Sequence, residues 1–132
     1  MTKKNQIIIA KRKTAIASAV INDGKGQVFI NNKSLSSSQD VLFKLLVSEP
    51  LKIAADLAGK YDIYIKVNGG GSMARAHAAR SAIAKGLVKK EKSLRKRFLE
   101  YDRSLLVDDK RQTEPQKPYR SSARALKQTS YR

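Results

Sequence analysis

One stretch constrains the fold more than any other. Tyr61-Asp62-Ile63-Tyr64-Ile65-Lys66-Val67 alternates in polarity, stops at Asn68-Gly69-Gly70-Gly71, and gives way to a helical pattern from Ser72 to about Lys90. Alternation at period two puts Ile63, Ile65 and Val67 on one face of a strand. At 100° per residue, Ala76, Ala79, Ile83, Gly86 and Leu87 share one stripe of the helix. Those side chains are mostly small, so the helix can lie close on a sheet. The segment therefore predicts a strand and a helix packed face to face, joined by a turn that only glycine makes easily.

The preceding residues supply more of the sheet. Residues 6 to 21 alternate through Ile7, Ile9, Ala15, Ala17, Ala19 and Ile21, in two halves that flank Lys11-Arg12-Lys13-Thr14. Asn22-Asp23-Gly24-Lys25-Gly26 reads as a turn, and Val28-Phe29-Ile30 as the strand returning from it in a β-hairpin. Asn31-Asn32 turns again. Ser36-Ser37-Ser38 offers helix caps. Pro50 suits the first turn of a new helix, so two helices are expected, about 39 to 47 and 49 to 58, the second closed by Gly59. A third helix is expected over Ser93 to Glu100 and a short strand over Ser104 to Val107. The pattern is an α+β or α/β sandwich of helices on one sheet, and α+β, a single sheet packed with helices, is the fold class expected over residues 1–107.

Residues 108–132 behave differently. Leu126 is their only large aliphatic side chain, Pro115 and Pro118 break any helix, and from Lys110 on there are seven Lys or Arg against one acid, Glu114. So polar a segment buries too little apolar surface to offset the entropy of ordering it. It is expected to be an extended basic tail that needs an anionic partner. The whole chain carries 28 basic and 11 acidic residues, a net charge of +17. Self-repulsion at that level calls for a polyanion, nucleic acid first. No apolar run is long enough to span a membrane, and no basic amphipathic helix carries an aromatic stripe. With no cysteine, the chain has neither disulfides nor thiolate chemistry.

Three features are site-like. The triple glycine lets backbone approach a phosphate at a helix start, yet it also fits a plain tight turn, and it matches neither nucleotide-binding glycine signature. Lys11-Arg12-Lys13 reads as a phosphate contact or a solvated sheet edge. Tyr119 and Tyr131 interleave with Arg120, Arg124 and Arg132, the chemistry of looped or single-stranded RNA. His77, the only histidine, has no cysteine and few carboxylates to join it in a metal site. His77, Asp102 and Ser104 make a triad only on paper. No catalytic residue, metal or cofactor is expected.

Lys11-Arg12-Lys13-Thr14-Ala15-Ile16-Ala17 resembles the opening of the universal S-nine family of small-subunit ribosomal proteins. Gly24-Lys25-Gly26 with Ile30-Asn31 is similar to the family's hairpin. Val67 to Gly71, followed by Ala76-x-x-Ala79-Arg80-x-x-Ile83-Ala84-x-Gly86-Leu87, resembles its central loop and helix. Asp102 to Asp109 with Glu114-Pro115 and Lys117-Pro118 resembles its archaeal and eukaryotic branch, and Ala123-Arg124, Gln128 and Ser130-Tyr131-Arg132 resemble its terminus.

The resemblance implies a cytoplasmic, non-enzymatic ribosomal protein with a fold similar to the second domain of ribosomal protein S-five. It implies a place in the head of the small subunit among neighbouring ribosomal proteins, and a tail threading through rRNA to peptidyl-site tRNA. Carried across, Lys11, Arg12, Lys13, Gly69, Gly70, Gly71, Arg75, Arg80, Arg103, Lys110, Arg111, Lys117 and Arg120 would meet rRNA; Arg124, Lys127, Tyr131 and Arg132 would meet tRNA. The chain departs from the family at Ala10, where Gly is usual, and at Arg75, where Gln is common. Tyr119 to Ser122 stand where the family is Gly-rich, and Leu126 and Thr129 where it is often basic. Two rival readings remain: a small-molecule kinase fragment using the glycine loop, and a histone-like DNA-binding protein.

Overall fold

The structure is a computed structural model that describes residues 6–126 and residue 130. Its strands are β1 (Ile8–Arg12), β2 (Ala15–Asp23), β3 (Val28–Ile30), β4 (Lys33–Ser34) and β5 (Tyr61–Asn68). Its helices are α1 (Val41–Ile53), α2 (Ala55–Ala58), α3 (Ser72–Lys90) and α4 (Leu94–Tyr101), with 3₁₀ turns at Leu35–Ser37 and Arg103–Leu105. The strands form one mixed sheet in the order β1-β2-β5-β3-β4. The architecture is α+β, with helices on one face of the sheet.

The expected hairpin of β2 with β3 does not form. β5 lies between them, antiparallel to β2 (Ala17↔Val67, Ile21↔Ile63) and parallel to β3 (Val28↔Ile63, Ile30↔Ile65). Asp62 explains the arrangement. Its carboxylate accepts from the backbone N–H groups of Lys25 and Gln27 at 2.9 Å each, so the turn after β2 wraps the start of β5 instead of closing on itself. The real hairpin is β1–β2, closed over Lys13-Thr14 with Lys13 at φ 52°. Lys13 is thus a turn residue and not the next residue of a strand.

Pro50 does not divide the first helical segment. α1 runs through it to Ile53, and Pro50 is buried, so tertiary packing outweighs the missing N–H. Asp40 caps α1 by accepting from Phe43 N–H at 3.1 Å. Ser104 to Val107 is not a strand. The Asp102 carboxylate accepts from Ser104 N–H at 2.8 Å, winding a 3₁₀ turn that drives Leu105 fully into the core.

α3 is the centre of the molecule. The small stripe expected on it, Ala76, Ala79, Ile83, Gly86 and Leu87, is buried throughout. Ala15, Ala17 and Ala19 face it from β2 and are fully buried too. A Cβ on Gly86 would run into Ile21 Cδ1, so glycine sets the close approach of helix and sheet. His77, Ser81 and Lys85, off that stripe, are half-buried all the same. The chain after α4 lies over them: Ser81 Oγ donates to Ser104 O at 3.3 Å, and Lys85 Nζ meets Asp108 Oδ1 at 2.6 Å.

Candidate nucleic-acid interface

The glycine loop is built on the basic hairpin turn. Gly69 and Gly70 have φ of 71° and 67°, where side chains are strained. A Cβ on Gly69 would stand 2.6 Å from Thr14 O, and one on Gly70 2.9 Å from Ala15 Cβ. These two glycines therefore serve the turn and its packing, and no room for a phosphate lies beneath them. Gly71 differs. It has ordinary backbone angles, φ −84° and ψ 175°, and no atom stands within 4 Å of where its Cβ would be. Its outer side and the uncapped first turn of α3 are open to a ligand backbone. Arg75 Nε donates to Gly69 O at 2.9 Å, which holds its guanidinium beside the loop. Ser72 Oγ donates to Asp40 Oδ2 at 2.5 Å, tying the start of α3 to the start of α1. That bond and the cap hydrogen bond lower the pKa of Asp40.

The expected cations fall into two groups. Lys11, Lys13, Arg75 and Arg103 are exposed and carry no ion pair among the described residues. Others are engaged inside the protein. Arg80 is 7% exposed; its Nη2 meets Asp102 Oδ2 at 2.9 Å, and its Nε lies 2.6 Å from Glu49 Oε2 without the alignment of a hydrogen bond. Arg12 is paired with Asp109, and the two residues also form a parallel β-bridge. Arg111 forks onto the same carboxylate, Nε at 3.0 Å and Nη2 at 2.6 Å from Oδ2. That fork drives the Asp109 pKa far below the carboxylate range and raises that of Arg111. Asp108 and Asp109 thus bind the root of the tail to α3 and β1.

Beyond Lys110 the described chain is exposed except at Arg120 and Ala123, which are half-buried, and it is not extended throughout. It doubles back, with Arg120 bridged to Leu126, Ser121 N–H donating to Ala125 O at 3.2 Å, and Tyr119 at φ 62°. Glu114 accepts from Arg124 Nε at 2.8 Å and pairs with Lys117 Nζ at 3.5 Å. Arg120 Nη1 donates to Arg124 O at 3.2 Å. Lys127, Tyr131 and Arg132 lie outside the described residues.

No catalytic triad is assembled. Ser104 Oγ donates to Asp102 Oδ2 at 2.6 Å and so turns to the carboxylate, not to His77. The Ser104 hydrogen bonds, helped by Arg80, lower the Asp102 pKa. Burial, then the charges of Arg80 and Arg12, lower that of His77. Among the described residues no group of His, Cys, Asp or Glu can hold a metal, and no helix is long and apolar enough to cross a membrane. Sequence reasoning missed Asp40, Glu49 and Asp62. Each is a single carboxylate with nothing local to show that a partner lies far along the chain.

The Ribosomal protein S9/S16 family pattern matches residues 10–132 of the chain. A protein of Desulfurococcus amylolyticus, "Small ribosomal subunit protein uS9", is 46% identical over 136 residues, which covers 100% of this chain and 97% of the relative. One of the same description from Methanococcus vannielii is 41% identical over 128 residues, 94% of this chain and 96% of the relative. The glycine loop docked on a basic turn, the tail root beside it and these full-length matches lead to one conclusion: the chain belongs to the ribosomal protein S9/S16 family.

Proposed function

We propose that this ribosomal protein, a structural constituent of the small subunit and not an enzyme, grips head rRNA with its globular part and directs its C-terminal tail to peptidyl-site tRNA. One observation carries the rRNA half. The Lys13-Thr14 turn lies against Gly69-Gly70, so Lys13, Arg75 and the open side of Gly71 come from separate elements to one surface. Cations without carboxylate partners, next to backbone that a ligand can approach closely, suit a phosphate backbone. The kinase reading is disfavoured, because Thr14 and Ala15 fill the space a nucleotide phosphate would need under the loop.

The fold type of the S-five second domain is part of the same proposal, supported by the β3-α1-β5 crossover and by α3 lying on the sheet. Arg80 acts within the fold on this reading, while Lys11, Arg12, Lys13, Arg75, Arg103, Lys110, Arg111, Lys117 and Arg120 supply the rRNA contacts. Arg124, Lys127, Tyr131 and Arg132 serve tRNA, with Arg132 at the tip. Reaching tRNA requires Arg124 to leave Glu114. Such an exposed pair is worth about 0–1 kcal/mol, so a phosphate displaces it readily.

Deleting Leu126 to Arg132 tests the division of labour. Reconstituted subunits are expected to assemble normally and to bind peptidyl-site tRNA more weakly. Failed assembly, or unchanged tRNA affinity, refutes it.

A further inference from the structure

We infer that the cleft between the β1–β2 turn, the first half of α3 and the tail root is a seat for one phosphate group. The proposal deepens the rRNA reading and rests on it. The cleft measures about 120 Å³ and is lined by Lys11, Arg12, His77, Ser81 and Arg111, with Asp109 and Ser104 at its side. That is a few times the ~30 Å³ share of one water. A tetrahedral oxyanion fits.

The charge around the cleft is unbalanced towards cations. Asp109 is the carboxylate within it, and both Arg12 and Arg111 converge on it. It takes one nitrogen of Arg12, and Nε and Nη2 of Arg111. A guanidinium has five N–H donors in a fixed fork, so both keep donors beyond those given to Asp109. Lys11 also lines the cleft. Arg80 adds positive field from the wall, though Glu49 and Asp102 answer its charge on the other side. His77 is half-buried here and held towards its neutral form by burial, then by Arg80 and Arg12. A neutral imidazole can still donate one N–H to an oxyanion. The site therefore offers donors from β1, α3 and the tail root to a single compact anion.

The ligand is a phosphate oxyanion, from an RNA backbone or free in solution. His77 is the chain's only histidine, so its ring C–H signals in a proton NMR titration of the full chain report on this cleft alone. Two probes separate the sources: sodium sulfate, a dianion that does not titrate near neutral pH, and a small-subunit head rRNA fragment. Occupancy adds negative charge beside the ring, so RNA is expected to raise the His77 pKa, with Lys11→Gln plus Arg111→Gln abolishing the rise. A matching rise with sulfate at millimolar concentration identifies a free-anion site; a rise with RNA alone identifies a backbone subsite. The double variant is also expected to lower the slope of log K against log salt by about 1, the share of one phosphate. The inference is overturned if RNA binds while the His77 signals keep their pKa, which leaves the broader rRNA reading intact. If head rRNA does not bind the wild-type chain at all, the broader reading falls, and a sulfate-induced rise alone sustains the cleft.

Discussion

Arg80→Met separates two uses of one cation. The sequence alone puts Arg80 among the phosphate contacts, whereas in the fold its guanidinium meets Glu49 and Asp102. Removing one partner of a buried ion pair costs about 3–5 kcal/mol, because it strands the opposite charge. Here the stranded carboxylates are 29% and 36% exposed and can recover water. That screening places the expected loss at about 2–3 kcal/mol. For a folded part of about a hundred residues this is a fall in Tm on the order of 10–20 °C. Adding Glu49→Gln is expected to restore about 1 kcal/mol, since one stranded charge is gone. The assay is urea unfolding of both variants, alongside the salt dependence of rRNA-fragment binding at a temperature where the variants stay folded. Lost stability with an unchanged salt slope confirms an internal role. Stability within about 0.5 kcal/mol of wild type, with a slope shallower by about 0.9, would refute it and make Arg80 a phosphate contact.

The glycine loop is expected to divide by position. Gly70→Ala places a Cβ 2.9 Å from Ala15 Cβ at a φ of 67°, and should cost about 2–4 kcal/mol in denaturant unfolding. Gly71→Val should leave stability within about 0.5 kcal/mol and weaken binding of the rRNA fragment; equal affinity would remove Gly71 from the interface. Acid should destabilise the fold in two steps. His77 has a folded pKa below its usual 6.5, so its contribution is present above that value and lost as pH falls through the folded pKa. The lowered values of Asp40, Asp62 and Asp102 add a second loss beginning below about pH 4. Urea midpoints compared at about pH 7.5 and 5.5 should fall for wild type and stay level for His77→Gln.

Local rules read some parts of this chain well and were silent on others. The strand at Tyr61 and the helix from Ser72 to Lys90 were legible because their periodicity and the glycines between them agree. The partner of β3 was not, because a three-residue strand takes any neighbour and the choice is made by Asp62, far along the chain. Pro50 was read as a break because the N–H penalty is local and the packing that outweighs it is not. Ser104 to Val107 looks like a strand by composition, and only the Asp102 cap shows it is a turn. In the interface, residue types gave the cations, but their availability depends on scattered carboxylates. Arg80, Arg12 and Lys11 look alike in sequence and differ only in what the fold sets beside them.

The position of β5 between β2 and β3 also dictates an order of events during synthesis. β1 and β2 pair through a two-residue turn and can close as soon as both exist. β3 is made next and can pair with β4 at once, but β5, its partner on the other side, comes only after α1 and α2. Until then the nascent chain holds a hairpin with an open inner edge and a short β3–β4 ribbon whose other edge is unpaired. Long-range parallel pairing of this kind is slow to form, and open edges invite association with other chains. The sheet closes only when β5 enters the gap between β2 and β3. Mutual repulsion among highly cationic copies protects the waiting intermediate, so the charge that suits the finished protein to RNA also keeps the unfinished one apart from its neighbours.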